Sequence, residues 1–389
     1  GVDDIIYNAG EIPITSFQTS EEAGNDSCTS TMDCTTECTS NYVNGEWKEV
    51  CYCYTGNNGS MPTVSNGTEL GNLIKKMSNG VKDTVDNIAT TDEGIWETED
   101  DYGTTYYFRG VVENNYVYFA GYYWRIVRIN GDGSIRMIYD GTSAHANGES
   151  SEDRQIGASA YNEKYWDNAY VGYMYGQEET NDYNATHANI NNSTIKTVVD
   201  NWYKTNIEDK GYSDKVADVI YCNDRQIAKN SNSWTNANGT HFGTLGYGKN
   251  DTVYAPGSRL FLPDYGWKYL QEIKMTCSQK NDAFTVDDTS KGNGALTYPV
   301  GLITVDEVVA AGAIQGRDNI DYYLYTGQPY WTLSPNLYSG DFAVVFSFHF
   351  GAIGYYYVGN NYYVKPVLSL KPSVELTGIG TMSNPYVVQ

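Results

Sequence analysis

Apolar residues recur at helical spacing over residues 69–88, where Leu70, Leu73, Ile74, Met77, Val81, Val85 and Ile88 fall on one face. The pattern predicts an amphipathic helix that Gly80 weakens in its middle. A second stripe, Ile195, Val198, Val199 and Trp202, predicts a helix over residues 194–207 capped by Ser193. A third helix is expected to follow Thr304, with Glu307 three residues on completing a capping box and Gly312 marking the end. Residues 106–139 alternate aromatic or β-branched residues with polar ones, which predicts strands. Asn130, Gly131, Asp132 and Gly133 lie between two such runs and read as a hairpin turn. A calcium loop would need a run of alternating acidic ligands ending in Glu, which is missing. The chain is again strand-like from Tyr330 onward. Residues 141–192 and 208–297 carry no clear period, but their Tyr and Trp content argues for loops ordered by packing.

This pattern predicts an α+β chain in three parts. Residues 1–64 form a small Cys-rich module with an apolar extended stretch over residues 5–17, suited to join its own sheet or a neighbour's. Residues 65–100 are a helix and linker, and residues 101–389 are the main domain, with short strands, few helices and long ordered loops. Five of the seven cysteines, Cys28, Cys34, Cys38, Cys51 and Cys53, crowd the first part, while Cys222 and Cys277 form the natural long-range pair of the main part. The crowding points to disulfides in an oxidising compartment. A metal site is the rival reading, with loose Cys-x3-Cys and Cys-x-Cys spacing and no nearby His. The odd number leaves one cysteine free or paired between chains.

The formal charge of −23, from 25 basic and 48 acidic residues, disfavours nucleic acid and anionic membranes, both of which are bound through Lys and Arg clusters. No apolar run has the roughly 20 residues needed to span a bilayer. The chain opens GVDDIIYNAG without an initiator Met, which reads as a mature product whose leader or anchor has been removed, at the cell surface or outside the cell. The four His, at 145, 187, 241 and 349, are scattered and read as polar surface or loop residues. No nucleophile elbow, P-loop, dinucleotide fingerprint or HExxH motif occurs, and no carboxylate pair is singled out for glycoside hydrolysis. The expectation is a protein that is not an enzyme and uses no cofactor or metal.

One segment differs from the rest. Residues 336–363 carry Tyr338, Phe342, Phe346, Phe348, Phe350, Tyr355, Tyr356, Tyr357, Tyr362 and Tyr363 among small or short residues that include Asp341, Asn360 and Asn361. Lys, Arg, Glu, Gln, Met, Trp, Thr and Pro are missing from this segment. Such a mixture suits a binding surface: Tyr offers contact area at low entropic cost, and Ser, Gly and Asn adapt their hydrogen bonds. Plain β core is the alternative, because Phe346, Phe348 and Phe350 follow a period of two. Trp124 and Trp331 read as core.

The runs YYFRGVVENNYVYFAGYYWRIVRINGDGSIRMIYDG (106–141), NAYVGYMYG (168–176), THANINNSTIK (186–196), YCNDRQIA (221–228), KGNGALTYPVGLITVDEVVAAG (291–312), YLYTGQPYWTLSP (323–335) and VKPVLSLKPSVELTGIGTMSNPYVV (364–388) resemble a group of surface and secreted proteins of gut Firmicutes. The likeness runs from about residue 70 to the end and names a lineage rather than a function. The end of the chain is also similar to C-type-lectin-like domains of the formylglycine-generating-enzyme type. The marks are the run YWTLSP (330–335), a varied stretch, and a closing strand around KPVLSL (365–370). Such domains include the ligand-binding targets of diversity-generating retroelements, and the residue types of 336–363 are compatible with their mutated codons. Lys365 stands where that motif usually has Arg. The Cys pair of the enzymes of this fold has no counterpart near the C-terminus, so their activity is not implied. The resemblance implies a C-type-lectin-like main domain presenting 336–363 to a protein or glycan on another cell, host or phage. The alternative is a structural subunit of a surface filament, pilus or sheath, with the chain itself as partner.

Overall fold

The computed structural model describes residues 63–228, 245–260 and 271–389 except 341 and 350, together with the backbone of three N-terminal strands. Those strands, β1 (Ile14–Thr19), β2 (Cys34–Val43) and β3 (Glu46–Thr55), form an antiparallel sheet of order β1-β3-β2. Part of the extended apolar stretch therefore pairs with β3 of its own chain. The register sets Cys38 opposite Cys51. Cys28 and the side chains of Cys34, Cys38, Cys51 and Cys53 lie outside the described residues.

The helix predicted for residues 69–88 is shorter. Helix α1 (Gly67–Lys76) is capped by Asn66, whose side chain accepts from the Glu69 N–H at 2.9 Å, while the Glu69 carboxylate accepts from the Ser65 N–H at 2.8 Å. Leu70, Leu73 and Ile74 are fully buried. The chain then leaves the helix at Met77, and Gly80 adopts φ +101°, a region open to glycine. Two short strands follow, β4 (Ser78–Val81) and β5 (Thr84–Val85), so the later apolar positions serve strand faces and Val81 points to solvent.

Strands β6 (Asp92–Asp100), β7 (Gly103–Gly110), β8 (Tyr116–Phe119), β9 (Tyr122–Ile129) and β10 (Ile135–Gly141) build most of a nine-stranded sheet. Strand β9 organises it. Its first half pairs with β8, its last residues with β7, and β10 runs along it on the other side. The β9–β10 connection is the predicted turn: the Ser134 N–H and Oγ donate to Asp132 Oδ1 at 2.9 and 2.6 Å, and Gly133 takes φ +85°. Val64, α1, Val85 and Ile95 share one hydrophobic core with β7–β10, so residues 65–100 are built into the main unit instead of linking to it.

A second sheet of six strands carries the late segment. Strand β11 (Ala158–Ala160) pairs with β15 (Asn361–Tyr363). The order continues through β12 (Tyr330–Ser339), β13 (Phe342–His349) and β14 (Ala352–Tyr357), with the short strand Thr252–Val253 on β12. Strand β12 is buried on both faces until its last residue. Pro335 sits in it where the pairing register slips, the position a residue without an N–H tolerates. Strand β16 (Val367–Leu370) returns to β10, and β17 (Leu376–Thr377) with β18 (Tyr386–Val388) closes the first sheet against β8.

Two further helices follow the sequence closely. Helix α2 (Thr194–Tyr203) is capped by Ser193, whose Oγ accepts from the Lys196 N–H at 3.2 Å, and its end widens into one π turn over Lys204–Glu208. Helix α3 (Val305–Ala311) has the predicted capping box, and Gly312 ends it at φ +131°. Trp124 and Trp331 are fully buried. The aperiodic stretch 141–192 is ordered by packing, with Tyr161, Tyr170 and Tyr173 fully buried.

The strand alternation hides a surprise. Arg125, Arg128 and Arg136 occupy positions that alternate with apolar residues, yet all three are buried. Arg128 and Arg136 are matched by internal acids: Arg128 meets Asp100 at 2.6 Å and Glu307 at 2.9 Å, and Arg136 also grips Glu307. Arg125 instead donates to Asn115 Oδ1 and to the Val112 carbonyl, each at 2.7 Å, with its guanidinium over the Tyr116 ring. Arg154 pairs with Asp140 at 2.8 Å, and Arg225 with Asp282 at 2.8 Å. A buried charge is tolerated only with partners that satisfy it, acidic or hydrogen-bonding.

Two predictions follow from this architecture. The Cys222–Cys277 disulfide spans 55 residues between the edge of the irregular region and the ion-pair network. In the chain-entropy picture it stabilises by about 4 kcal/mol, so the Cys222→Ser/Cys277→Ser variant should lose about 2–4 kcal/mol in urea unfolding. Lys365 is buried 3.4 Å from Asp140, and burial pushes its ammonium down to about 7 despite that carboxylate. The unfolded chain then holds a proton that the folded one has released. Stability should therefore rise between pH 7 and 9.5, by at most about 1.4 kcal/mol per pH unit. Lys365→Met should flatten that rise in pH-dependent urea midpoints.

Candidate functional site

Rings exposed at the far end of the second sheet form the candidate site. Strand β14 is paired antiparallel to β13, which sets Tyr355 and Tyr357 on one face and Tyr356 on the other. Tyr355 and Tyr357 are 40% and 48% exposed, whereas Tyr356 is half-buried. Phe342 opens β13 beside them, with its ring centroid 4.4 Å from that of Tyr357. Asn360 lies in the turn after β14, where its N–H donates to the Tyr357 carbonyl at 3.0 Å, and Asn361 is exposed at the start of β15.

The structure adds a ring that the sequence reading missed. Tyr165 is 39% exposed and stacks on Phe342 at 5.3 Å with an interplanar angle of 12°. Its carbonyl accepts from the Ala343 N–H at 2.7 Å, which fixes the loop to β13. Trp166 and then Tyr170 continue behind it, edge to face, at 5.5 and 5.6 Å. The surface is thus a row, Tyr165, Phe342 and Tyr357, with Tyr355 two residues along its strand. The paired aromatics at 165 and 166 inside a polar loop were the available signal, but no local period ties them to a segment some 180 residues later.

Other expected site residues are placed differently. Tyr338 is a correction: it is fully buried, and its hydroxyl donates to the Trp166 carbonyl at 2.9 Å. The all-buried strand β12 leaves it no route to a ligand. Tyr362 and Tyr363 are half-buried. Tyr362 packs at 5.0 Å on Trp331 and at 4.8 Å on Tyr356, so it connects the core to the surface rings, and burial raises its hydroxyl to about 12. Asp341 and Phe350, with the side chains of Phe346, Phe348 and His349, lie outside the described residues.

The reading of the histidines as surface residues also needs correction. His145 is buried, with its two ring nitrogens 2.9 Å from Glu149 and 2.8 Å from Asp153. That bridge ties together a polar loop whose sequence shows no period. His187 is buried against Tyr183 at 4.0 Å, and burial and Arg225 lower it to about 2, so it stays neutral. His241 lies outside the described residues. Among the described residues no group of three or more His, Cys, Asp or Glu is placed to hold a metal ion, and no helix is long and apolar enough to cross a membrane.

What the exposed row can do chemically is make contact. It offers ring faces at fixed spacing, phenol hydroxyls and flanking amides, carried on paired strands and on the loop and turn hydrogen-bonded to them. Comparison with family models, curated proteins and solved structures returns no match.

Proposed function

We propose that this protein is an extracellular or cell-surface binding protein that recognises a protein or glycan through the row Tyr165, Phe342, Tyr357 and Tyr355. The observation that carries the reading is the stacking of rings from two distant segments on a sheet edge while they remain open to solvent. Rings that served only the core would be sealed, as Tyr338 is. Tyr faces combine large contact area with few rotatable bonds, and the backbone beneath them is hydrogen-bonded, so little order has to be gained on binding. Asn360 and Asn361 supply hydrogen bonds at the rim. The disulfide suits an oxidising location. The sheet-rich organisation around β12, with the aromatic segment on β13 to β15 and the closing strand β16 after it, supports the C-type-lectin-like scaffold as the finer fold reading. Assembly into a filament remains the other reading, without a specific observation in its favour, since Ile14–Thr19 already pairs within its own chain.

The test is a triple variant, Tyr165→Ala/Tyr355→Ala/Tyr357→Ala, compared with wild type on a glycan array and on intact bacterial and host cells by flow cytometry. Exposed rings at a contact centre each contribute about 1–2 kcal/mol, so binding should fall about five- to thirtyfold per lost ring while the thermal midpoint stays put. A comparable loss of thermal stability would return these rings to a packing role.

A further inference from the structure

We infer that the cleft between α1 and the β9–β10 turn is a binding site for a single uncharged sugar unit, separate from the aromatic row. The cleft has a volume of about 420 Å³, within the range of roughly 300–1,000 Å³ typical of small-ligand sites. Its polar groups come from three elements. Asn72 and Lys75 face it from α1, Tyr106 and Thr104 from β7, and Asp132 from the turn, with Ile129 behind them. None of these residues belongs to the exposed row.

The donors and acceptors are available. The side chains of Asn72 and Lys75 are exposed and have no hydrogen-bond or ion-pair partner among the described residues. Asp132 receives both Ser134 donors on Oδ1, which leaves Oδ2 without a hydrogen-bond partner among the described residues. The lining holds an ammonium, a carboxamide, a carboxylate and a tyrosine around one small space, so donors and acceptors are both present. Neighbouring hydroxyls on a pyranose ring, each able to donate and accept, complement such a set.

Gly71 is an independent pointer to the same place. It lies in the interior of α1 with ordinary helical backbone, where glycine weakens a helix. A Cβ there would meet only ordinary contacts, Ile129 Cγ2 at 3.6 Å and the Gly133 carbonyl at 4.0 Å. Neither a left-handed backbone nor a close approach requires the glycine. What it does is leave the wall of the cleft empty. Charge decides the class of sugar: in a chain of net −23, with Asp132 on the rim and Glu99 bonded to Thr104, a carboxylated sugar would be repelled despite Lys75.

The experiment is a ¹H–¹⁵N NMR titration of the full chain with glucose, galactose, N-acetylglucosamine and glucuronate. The expected result is saturable shifts confined to residues 68–75, 104–106 and 129–133 with at least one neutral sugar, at a millimolar dissociation constant. Gly71→Leu, which fills the cleft, and Asn72→Ala should weaken binding at least about tenfold without lowering the thermal midpoint, and Gly71→Ala should raise that midpoint. The triple Tyr variant should bind the sugar like wild type. Absence of saturable shifts with every neutral sugar, undiminished binding by a folded Gly71→Leu protein, or tightest binding of glucuronate would each overturn the inference. If Gly71→Leu does not fold, Asn72→Ala carries the same decision.

Discussion

The carboxylate of Glu307 is fully buried and meets three parts of the chain at once. It accepts from the Thr304 N–H at 2.9 Å, closing the capping box of α3, and it receives Arg128 from β9 and Arg136 from β10. Burial pushes this carboxyl up, but the two guanidinium groups outweigh it and hold it below its ordinary value. Asp100 at the end of β6 shares Arg128. Two neighbouring strands, a third strand and a helix start are thereby fixed together by groups that cannot separate without leaving a charge stranded in the interior. Ion pairs of this kind specify geometry more than they add stability. Here they settle where α3 stands against the first sheet.

That placement reaches the exposed rings through the second sheet. The Ser334 hydroxyl of β12 accepts from the Val305 N–H at 3.0 Å, and the Leu333 N–H donates to the Ile303 carbonyl at 2.7 Å. Strand β12 is therefore pinned to the segment that the Glu307 network orders. The indole N–H of Trp331 in β12 donates to the Ser159 carbonyl of β11 at 2.9 Å, and its ring meets Tyr362, which meets Tyr356. A continuous series of contacts thus runs from the ionic core to the back of β14, whose other face carries Tyr355 and Tyr357. Surface rings backed in this way keep their spacing, and fixed spacing is what a contact-based recognition surface needs.

How much of this was legible in the sequence follows from the range of each interaction. The caps of α2 and α3, the β9–β10 turn and the end of α3 at Gly312 are set by residues within a few positions of each other, and the sequence predicts them; Trp124 and Trp331 were readable as core from their residue type alone. The Cys222–Cys277 pair was legible because few thiols compete in that region. The length of α1 was misread because residues 77–88 keep an apolar spacing that fits either a helix or a pair of short strands around a bend, and only tertiary pairing decides. The burial of Arg128 and Arg136 was not readable because their acids come from residues 100 and 307, which no window of the chain unites. For the candidate site the strand face of Tyr355 and Tyr357 was readable, the burial of Tyr338 was hidden by the second layer over β12, and Tyr165 was invisible because its partner lies in another segment.

The distribution of cations bears on what any partner must look like. Six of the eight arginines of the chain are buried against internal acids or carbonyls, so the planar cations best suited to carboxylates and phosphates are spent inside. What faces solvent is acidic overall, with lysines as the main remaining cations. Long-range attraction toward an anionic partner is therefore disfavoured, and under the proposed function the contacts would be short-range ones of ring faces and neutral hydrogen bonds. Such contacts are little affected by salt, because dispersion and apolar burial carry no Coulomb term to screen. The burial of the arginines and the aromatic character of the exposed row are thus two sides of one arrangement: charge organises the interior, and uncharged rings are left for the surface.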